Sequence, residues 1–396
     1  VVVGSYRRRG AALVAIAALA VAAGGCGGGG KGKDSPKLHG TVTLGVLAPV
    51  EHAGPLGARG RDTMNGARMA VNEINAAGGV LGRKLQLTTI DDACDPQIGY
   101  EAAKALGDGS GVDGVIGGLC DAAAAREVGV VDASGLPFLV TAATSDDLAK
   151  QPLQSTYLMN GTVYQQALSA VFWMNYQRAQ RLAVIDDAGA GSQQLAKEAI
   201  RLVDETPKLV SLQTVPRGTE DLTTIAAAAV ASKPNFIYWT GAPATGGALV
   251  KALRAAGYKG TFTASAASES PAFLRAAGPD GAEGAYVTAT ATGENTPTAA
   301  KWLARFEATY KHPPGLDALQ SYDAVRTLAH ALTKAKSTDG AKVSAQIAKL
   351  DVHFTNALGV VRFAGDHTLL YDNRIILQVR HDAFTFKRSL RTDSLQ

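Results

Sequence analysis

Little in this chain of 396 residues advertises chemistry. There is no C-x-x-C, and the seven histidines are scattered, so the spacing that holds a zinc ion is missing. There is no G-x-S-x-G and no H-E-x-x-H, which removes two common hydrolase signatures. "GSGVDG" (Gly109–Gly114) fits G-x-G-x-x-G, yet it precedes a strand-like run where a nucleotide loop would follow one. The formal charge is +4, from 39 basic and 35 acidic residues. Removing Arg7, Arg8 and Arg9 leaves 36 against 35, so no basic stripe argues for nucleic acid. Aromatics are few, at 6%, which suits small-residue helices packed closely on sheets.

Hydrophobic residues make up 46% of the chain, enough for a large core, and the length favours two compact lobes. The N-terminus stands apart from that core. Arg7–Arg9 lead into "AALVAIAALAVAA" (Ala11–Ala23), then Gly24, Gly25 and Cys26. A basic region, a short apolar run and small residues before a cut site describe a secretory signal. The run is too short for a comfortable membrane span. Cys26 stands where a bacterial lipoprotein signal has its acylated cysteine, although Ala23 replaces the usual Leu. "GGGGKGKDSP" (Gly27–Pro36) reads as a flexible tether. The expectation is a signal peptide over 1–25, lipidation at Cys26, and a linker over 26–37.

Cys94 and Cys120 remain. Each follows an apolar run, "KLQLTTI" and "GVIGGL". If both runs are strands of one parallel sheet, their ends lie side by side and a bridge is geometrically possible, contributing about 3 kcal/mol in the chain-entropy model. Two buried free thiols and half a metal site are the alternatives.

The rest alternates strand and helix. "TVTLGVL" (Thr41–Leu47) reads as a buried strand, "RDTMNGARMAVNEINAAGG" (Arg61–Gly79) as an amphipathic helix stopped by glycines, and "KLQLTTI" as the next strand. Helix Gln97–Leu106, strand "VDGVIGG", a helix from Asp121 and strand "PFLVT" complete a doubly wound pattern. A second such set runs from helix Thr162–Tyr176 through "RLAVIDD", "KLVSLQTV", "NFIYWTG" and "TFTAS". "EGAYVTATAT" reads as a crossing strand. Helices near 297–310, 315–335 and 342–350 follow, and Ala357–Arg380 reads as a closing antiparallel hairpin.

In open α/β sheets, ligands bind beyond the carboxyl ends of the strands. There the chain places "APVEHAGPLGARG", "GGLCDA", "TAATSDD", "IDDAGAGS" and "YWTGAPATGG", rich in small residues and hydroxyls that let backbone N–H groups approach a solute. Thr144, Ser145 and Asp121 also suit helix caps.

Taken together, "AGPLGARGRDTMNGARMAVNEINAAGGVLGRKLQL" (Ala53–Leu87), "DDACDP" (Asp91–Pro96), "VIGGLC" (Val115–Cys120) and "TAATSDDL" (Thr141–Leu148) resemble the leucine/isoleucine/valine-binding protein family. These are the type I periplasmic binding proteins of ABC importers. The resemblance implies two similar doubly wound parallel-sheet lobes joined by a three-crossover hinge. The crossovers are expected near 158–162, 288–292 and 357–361. The first lobe is expected over 38–160 and 290–357, the second over 161–289 and 358–396. It also implies a Cys94–Cys120 disulfide beside the ligand site. The expected protein is an extracytoplasmic, lipid-anchored monomer, not an enzyme, using no cofactor or metal. Its partners would be a small-molecule ligand and an ABC permease. A ligand-sensing lipoprotein without transport, or an extracellular hydrolase, are the alternatives.

The family's ligand contacts carry over unevenly. The loop that holds the amino acid's carboxylate survives as Ala142 and Thr144. The serine after the second cysteine is replaced by Asp121, an anion where a carboxylate should bind. Arg59 replaces an aromatic residue, and the second lobe's acidic residue is expected to be lost, with Ala264–Ala267 in its region. The ligand is therefore expected not to be an ordinary aliphatic amino acid. Asp121 would suit a cationic or multi-hydroxylated solute, walled by Trp239 or Tyr164; it would otherwise pair with Arg59 or only cap its helix. Asp187 and Ser265, near strand ends of the second lobe, complete the candidate set.

Overall fold

The computed structural model describes residues 40–109, 111–354, 359–370 and 374–390. The expected signal peptide, the lipidation site Cys26 and the linker lie outside the described residues.

Strand β1 (Thr41–Leu47) is buried continuously from Leu44 to Leu47, as a strand covered by helices on both faces must be. It lies between β2 (Lys84–Ile90) and β3 (Gly114–Gly117), and the sheet continues through β4 (Phe138–Val140) to β5 (Thr156–Leu158), all parallel. The connecting helices are α1 (Gly54–Ala76), α2 (Pro96–Gly107), α3 (Asp121–Ala133) and the short α4 (Asp146–Ala149). Helix α1 starts seven residues before the expected Arg61. Gly57 and Gly60, which read as loop, lie where a Cβ would strike the His52 and Pro49 carbonyls, so the chain folds back tightly on the helix start.

The second sheet is built the same way. Its elements are α5 (Val163–Tyr176), β6 (Arg181–Asp186), α6 (Ala190–Leu202), β7 (Lys208–Thr214), α7 (Thr223–Ala231), β8 (Phe236–Trp239), α8 (Pro243–Ala255), β9 (Thr261–Ala264), α9 (Pro271–Ala282) and β10 (Tyr286–Thr290). Helix α9 was not anticipated: Gly278, at φ 66°, and Pro279 interrupt its periodicity.

The chain then returns to the first lobe as α10 (Ala300–Tyr310), α11 (Ala318–Ala335) and α12 (Gly340–Ile347). Phe306, Val325 and Leu328 share a core with Leu44, Val46 and Ile116. Gly66 of α1 sits so close to α11 that a Cβ would lie 1.9 Å from the Ala318 carbonyl oxygen, so only glycine allows this helix contact.

The expected hairpin over 357–380 is two separate pieces. Strands β11 (Val352–Phe354) and β12 (Gly359–Val361) pair with each other, and Thr368 bridges to Leu158 of β5. Val361, Phe363 and Leu369 belong to the first lobe's core. The chain therefore stays with the first lobe through 370, beyond the expected return at 358. It enters the second sheet as β13 (Arg374–Arg380), antiparallel to β10 and followed by β14 (Ala383–Ser389). Two apolar, alternating stretches separated by a turn at Asp366 resemble one hairpin in sequence. The Asp366 carboxylate instead accepts from the Thr368 N–H and hydroxyl and turns the chain back onto β5. Three segments, after β5, after β10 and before β13, thus join the two lobes.

Candidate functional site

The strand ends of both sheets converge on one cavity of about 480 Å³. In the first lobe, β2 leads into the turn that carries Cys94, and the short loop after β3 ends at Cys120, directly before α3. The two cysteines are bonded, with Cα atoms 5.4 Å apart, tying one strand-end loop to the other. Asp92 shapes the first loop by accepting from the Cys94 N–H at 2.9 Å. Behind the bridge its carboxyl meets Glu127 of α3. Burial, reinforced by the Asp92 charge, pushes Glu127 well above the usual carboxylate range.

Asp121, the first residue of α3, turns its carboxylate towards the loop after β4. There Oδ1 accepts from the Thr144 N–H at 2.7 Å and the Ser145 N–H at 3.0 Å. Two convergent N–H donors on one carboxylate oxygen make a strong charge-assisted arrangement. Arg59, on α1, does not pair with Asp121 as one expectation had it. It forks onto Asp317 at the start of α11, with nitrogens 2.9 and 2.8 Å from Oδ2. Burial raises the Asp317 pKa, and the Arg59 charge opposes that shift without overcoming it. One turn further along α11, Gln320 is 2% exposed and donates Nε2 to the Ala291 carbonyl at 3.0 Å.

The second lobe faces these groups with hydroxyls. Ser192 and Thr240 are hydrogen-bonded at 3.0 Å, and Ser265 donates to the Thr240 carbonyl. Beyond β9 the chain makes a tight turn and presents Glu269. Its carboxylate accepts from Asn295 Nδ2 at 2.8 Å. Burial pushes the Glu269 pKa up to about 7, against the pull of that hydrogen bond and with help from nearby Glu294. Arg374, at the start of β13, reaches across the crossovers to the Thr290 hydroxyl and the Asn160 carbonyl.

Of the residues singled out from sequence, Arg59, Asp121, Thr144 and Ser265 line this cavity. The other four do not. Trp239 is fully buried in the second lobe's core, its indole N–H bonded to the Ala242 carbonyl, so it is a packing residue and not a ligand wall. Tyr164 is 41% exposed, with Arg201 over its ring at 5.9 Å. Asp187 is occupied by its own loops, accepting from the Gly189 and Ala242 N–H groups. Ala142 lies beneath the surface, and its carbonyl accepts from Asn160.

Sequence reasoning missed Asn160, Glu269, Asp317, Gln320 and Arg374. The structure places an acid, Glu269, on the cavity two positions beyond the Ala264–Ala267 stretch. An acid flanked by serines just past a strand end was the available signal. Asp317, Gln320 and Arg374 arrive from segments that return after long excursions, and no local pattern marks them. Among the described residues no three of His, Cys, Asp and Glu gather as a metal site, and no helix is long and apolar enough to cross a membrane.

Comparison with known proteins agrees with this architecture. The family described as periplasmic binding protein matches residues 41–383. A Leu/Ile/Val-binding protein of Rhizobium johnstonii is 29% identical over 340 residues, covering 84% of this chain and 91% of that protein. The Leu/Ile/Val-binding protein of Escherichia coli is 27% identical over 299 residues, covering 74% and 79%. Among solved structures, a branched-chain amino acid ABC transporter protein from Rhodospirillum rubrum superposes with a TM-score of 0.78 at 25% identity, covering 88% of this chain and all of that one. With its two doubly wound lobes, three crossovers and a cavity at facing strand ends, the chain belongs to the type I periplasmic binding proteins, a family of solute-binding proteins and not of enzymes.

Proposed function

We propose that this protein is the extracytoplasmic solute receptor of an ABC importer, held at the membrane surface by a lipid on Cys26. It works as a monomer that closes its two lobes on one small polar ligand. The observation that carries this reading is the cavity itself. It is lined from the first lobe by Arg59, Asp121 and Thr144 and from the second by Ser192, Thr240 and Ser265. A solute touching both walls stabilises the closed arrangement by its difference in affinity for the two states. The importer then reads the closed shape. Named relatives bind leucine, isoleucine and valine. The walls here differ in charge from what a free aliphatic amino acid needs, and we assign the ligand to another class of small polar molecule.

The test joins thermal unfolding to small-angle scattering across a solute library. A true ligand at a hundred times its Kd raises stability by about 2.7 kcal/mol and shrinks the radius of gyration. Stabilisation without compaction, or a library of solutes that moves neither, would sink the receptor reading. Mass spectrometry of the exported protein checks the anchor: a diacylglyceryl mass on an N-terminal Cys26 is expected.

A further inference from the structure

The cavity contains acceptors that the protein does not use, while its best backbone donors are taken. The Thr144 and Ser145 N–H groups converge where a solute carboxylate would be welcome, yet both already donate to Asp121 Oδ1. A carboxylate arriving at this loop would meet the Asp121 charge instead of free donors. Around the rest of the wall the balance is reversed. Gln320 and Asn160 have their amide orientations fixed, because each NH₂ donates to a backbone carbonyl, that of Ala291 at 3.0 Å and that of Ala142 at 2.9 Å. This leaves Gln320 Oε1 and Asn160 Oδ1 as buried acceptors with no hydrogen-bond partner among the described residues. Both side chains line the cavity, and Gln320 is 2% exposed. Buried acceptors without donors are costly, so a solute that reaches these two with N–H or O–H groups gains more than one that brings acceptors. Glu269 adds a carboxyl on the opposite wall.

On the reading that this cavity is the solute site, we propose that the cleft selects small amines and amides that carry no carboxylate, with Asp121 standing in for the carboxylate that a free amino acid would bring. Arg59 does not alter this, because its charge is matched by Asp317, and Arg374 directs its N–H groups to the Thr290 hydroxyl and the Asn160 carbonyl. The internal carboxylate therefore acts as a specificity element: it blocks one class of solute and leaves the acceptor-rich wall to choose among donors.

Matched pairs test this by calorimetry on the full chain: leucine against leucinamide, and ornithine against putrescine. Each pair shares an amine and differs in the carboxylate. The wild type is expected to bind the carboxylate-free member at least about tenfold more tightly, a difference of about 1.4 kcal/mol. Asp121→Ser frees the two N–H groups, and the ratio should fall by a similar factor towards the acid. Asp121→Asn keeps an oxygen acceptor for the two N–H groups but removes the charge, so its ratio should fall between those of the wild type and the serine variant; it also serves if the serine variant folds poorly. Equal or tighter binding of leucine or ornithine by the wild type overturns the proposal and leaves the receptor reading standing. A ratio unmoved by Asp121→Ser overturns it too. Failure of both members of both pairs to bind, in a protein that closes on other solutes, refutes the amine and amide class alone; failure of every solute to bind refutes the receptor reading with it.

Discussion

The two walls of the cleft are stiffened by different means. In the first lobe, polar groups from distant parts of the chain lock onto one another. The disulfide ties the β2 loop to the start of α3, Asp121 holds the Thr144–Ser145 loop, and Asp317 of α11 holds Arg59 of α1. In the second lobe, the hydroxyl-bearing loop after β8 rests on apolar packing. Gly241 and Gly246 press so closely on Trp239 that a Cβ at either would lie 2.5 or 2.3 Å from the indole. The contrast shows that one wall arrives with its charged groups already paired, while the other offers hydroxyls and an acid to whatever enters. Exclusion of carboxylates then belongs to the first lobe, and attraction is shared between Gln320 and Asn160 there and Glu269 across the cleft.

The largest effect is expected where packing carries a wall. Trp239→Ala should cost about 3–5 kcal/mol, because a fully buried indole leaves a cavity that the two glycines cannot fill. Chemical denaturation measures it. A loss under 1 kcal/mol would mean that the second lobe does not depend on this side chain. Opening the disulfide strikes the other wall. The paired variant Cys94→Ala with Cys120→Ala should lose about 3 kcal/mol by the loop-entropy model for a separation of 26 residues. Equal unfolding curves with and without reductant would remove the bridge from the account of the first lobe.

Most of the architecture was readable in advance, since it rests on local signals. Seven-residue apolar runs such as Thr41–Leu47 and Lys84–Ile90 mark strands, and the Gly78–Gly79 stop marks the end of α1. The cysteines and the loop after β4 could be placed because they follow such runs directly. What sequence did not give was partnership. That Arg59 meets Asp317, 258 residues away, depends on α11 returning to the first lobe. That Asp121 holds Thr144 and Ser145 depends on the neighbouring positions of β3 and β4. Trp239 read as a ligand wall because it ends a strand at the right face, but the register of β8 turns its ring inward, beneath its own loop. The third crossover was misplaced because a local turn and a change of lobe leave the same alternating pattern.

Glu269 gives a smaller and more specific effect, with two opposite signs in one pH window. Burial raises its pKa from the ordinary glutamate value of 4.5 to about 7 in the folded protein. The folded state then holds a proton that the unfolded chain has released. Its stabilising contribution is complete below 4.5 and is lost as pH rises through 7. An ammonium ligand, by contrast, needs the ionised carboxylate. Putrescine affinity should therefore climb about tenfold between pH 6 and pH 8, following the ionised fraction. Glu269→Gln should flatten both dependences. The other buried acids, among them Glu127 and Asp317, titrate in both proteins and cancel in the difference. An affinity that does not change with pH in the wild type would take Glu269 out of the recognition of amines.

The smallest expected effect tests where the second wall ends. Tyr164 opens α5 just past the first crossover, where an aromatic ring is well placed by sequence to cover a ligand. Its ring lies on the outside, 41% exposed beneath the Arg201 guanidinium, and its backbone N–H donates to Asp146. None of these contacts touches the cavity, and the substitution Tyr164→Ala leaves the N–H bond in place. An exposed cation–π contact contributes about 0.5–1 kcal/mol, so a stability loss of that size, with ligand affinity unchanged within about twofold, is expected. A tenfold loss of affinity would mean that lobe closure carries the ring from the surface onto the ligand. The second wall would then be assembled by closure, and its contrast with the first, whose contacts are already formed in this structure, would become one of timing as well as chemistry.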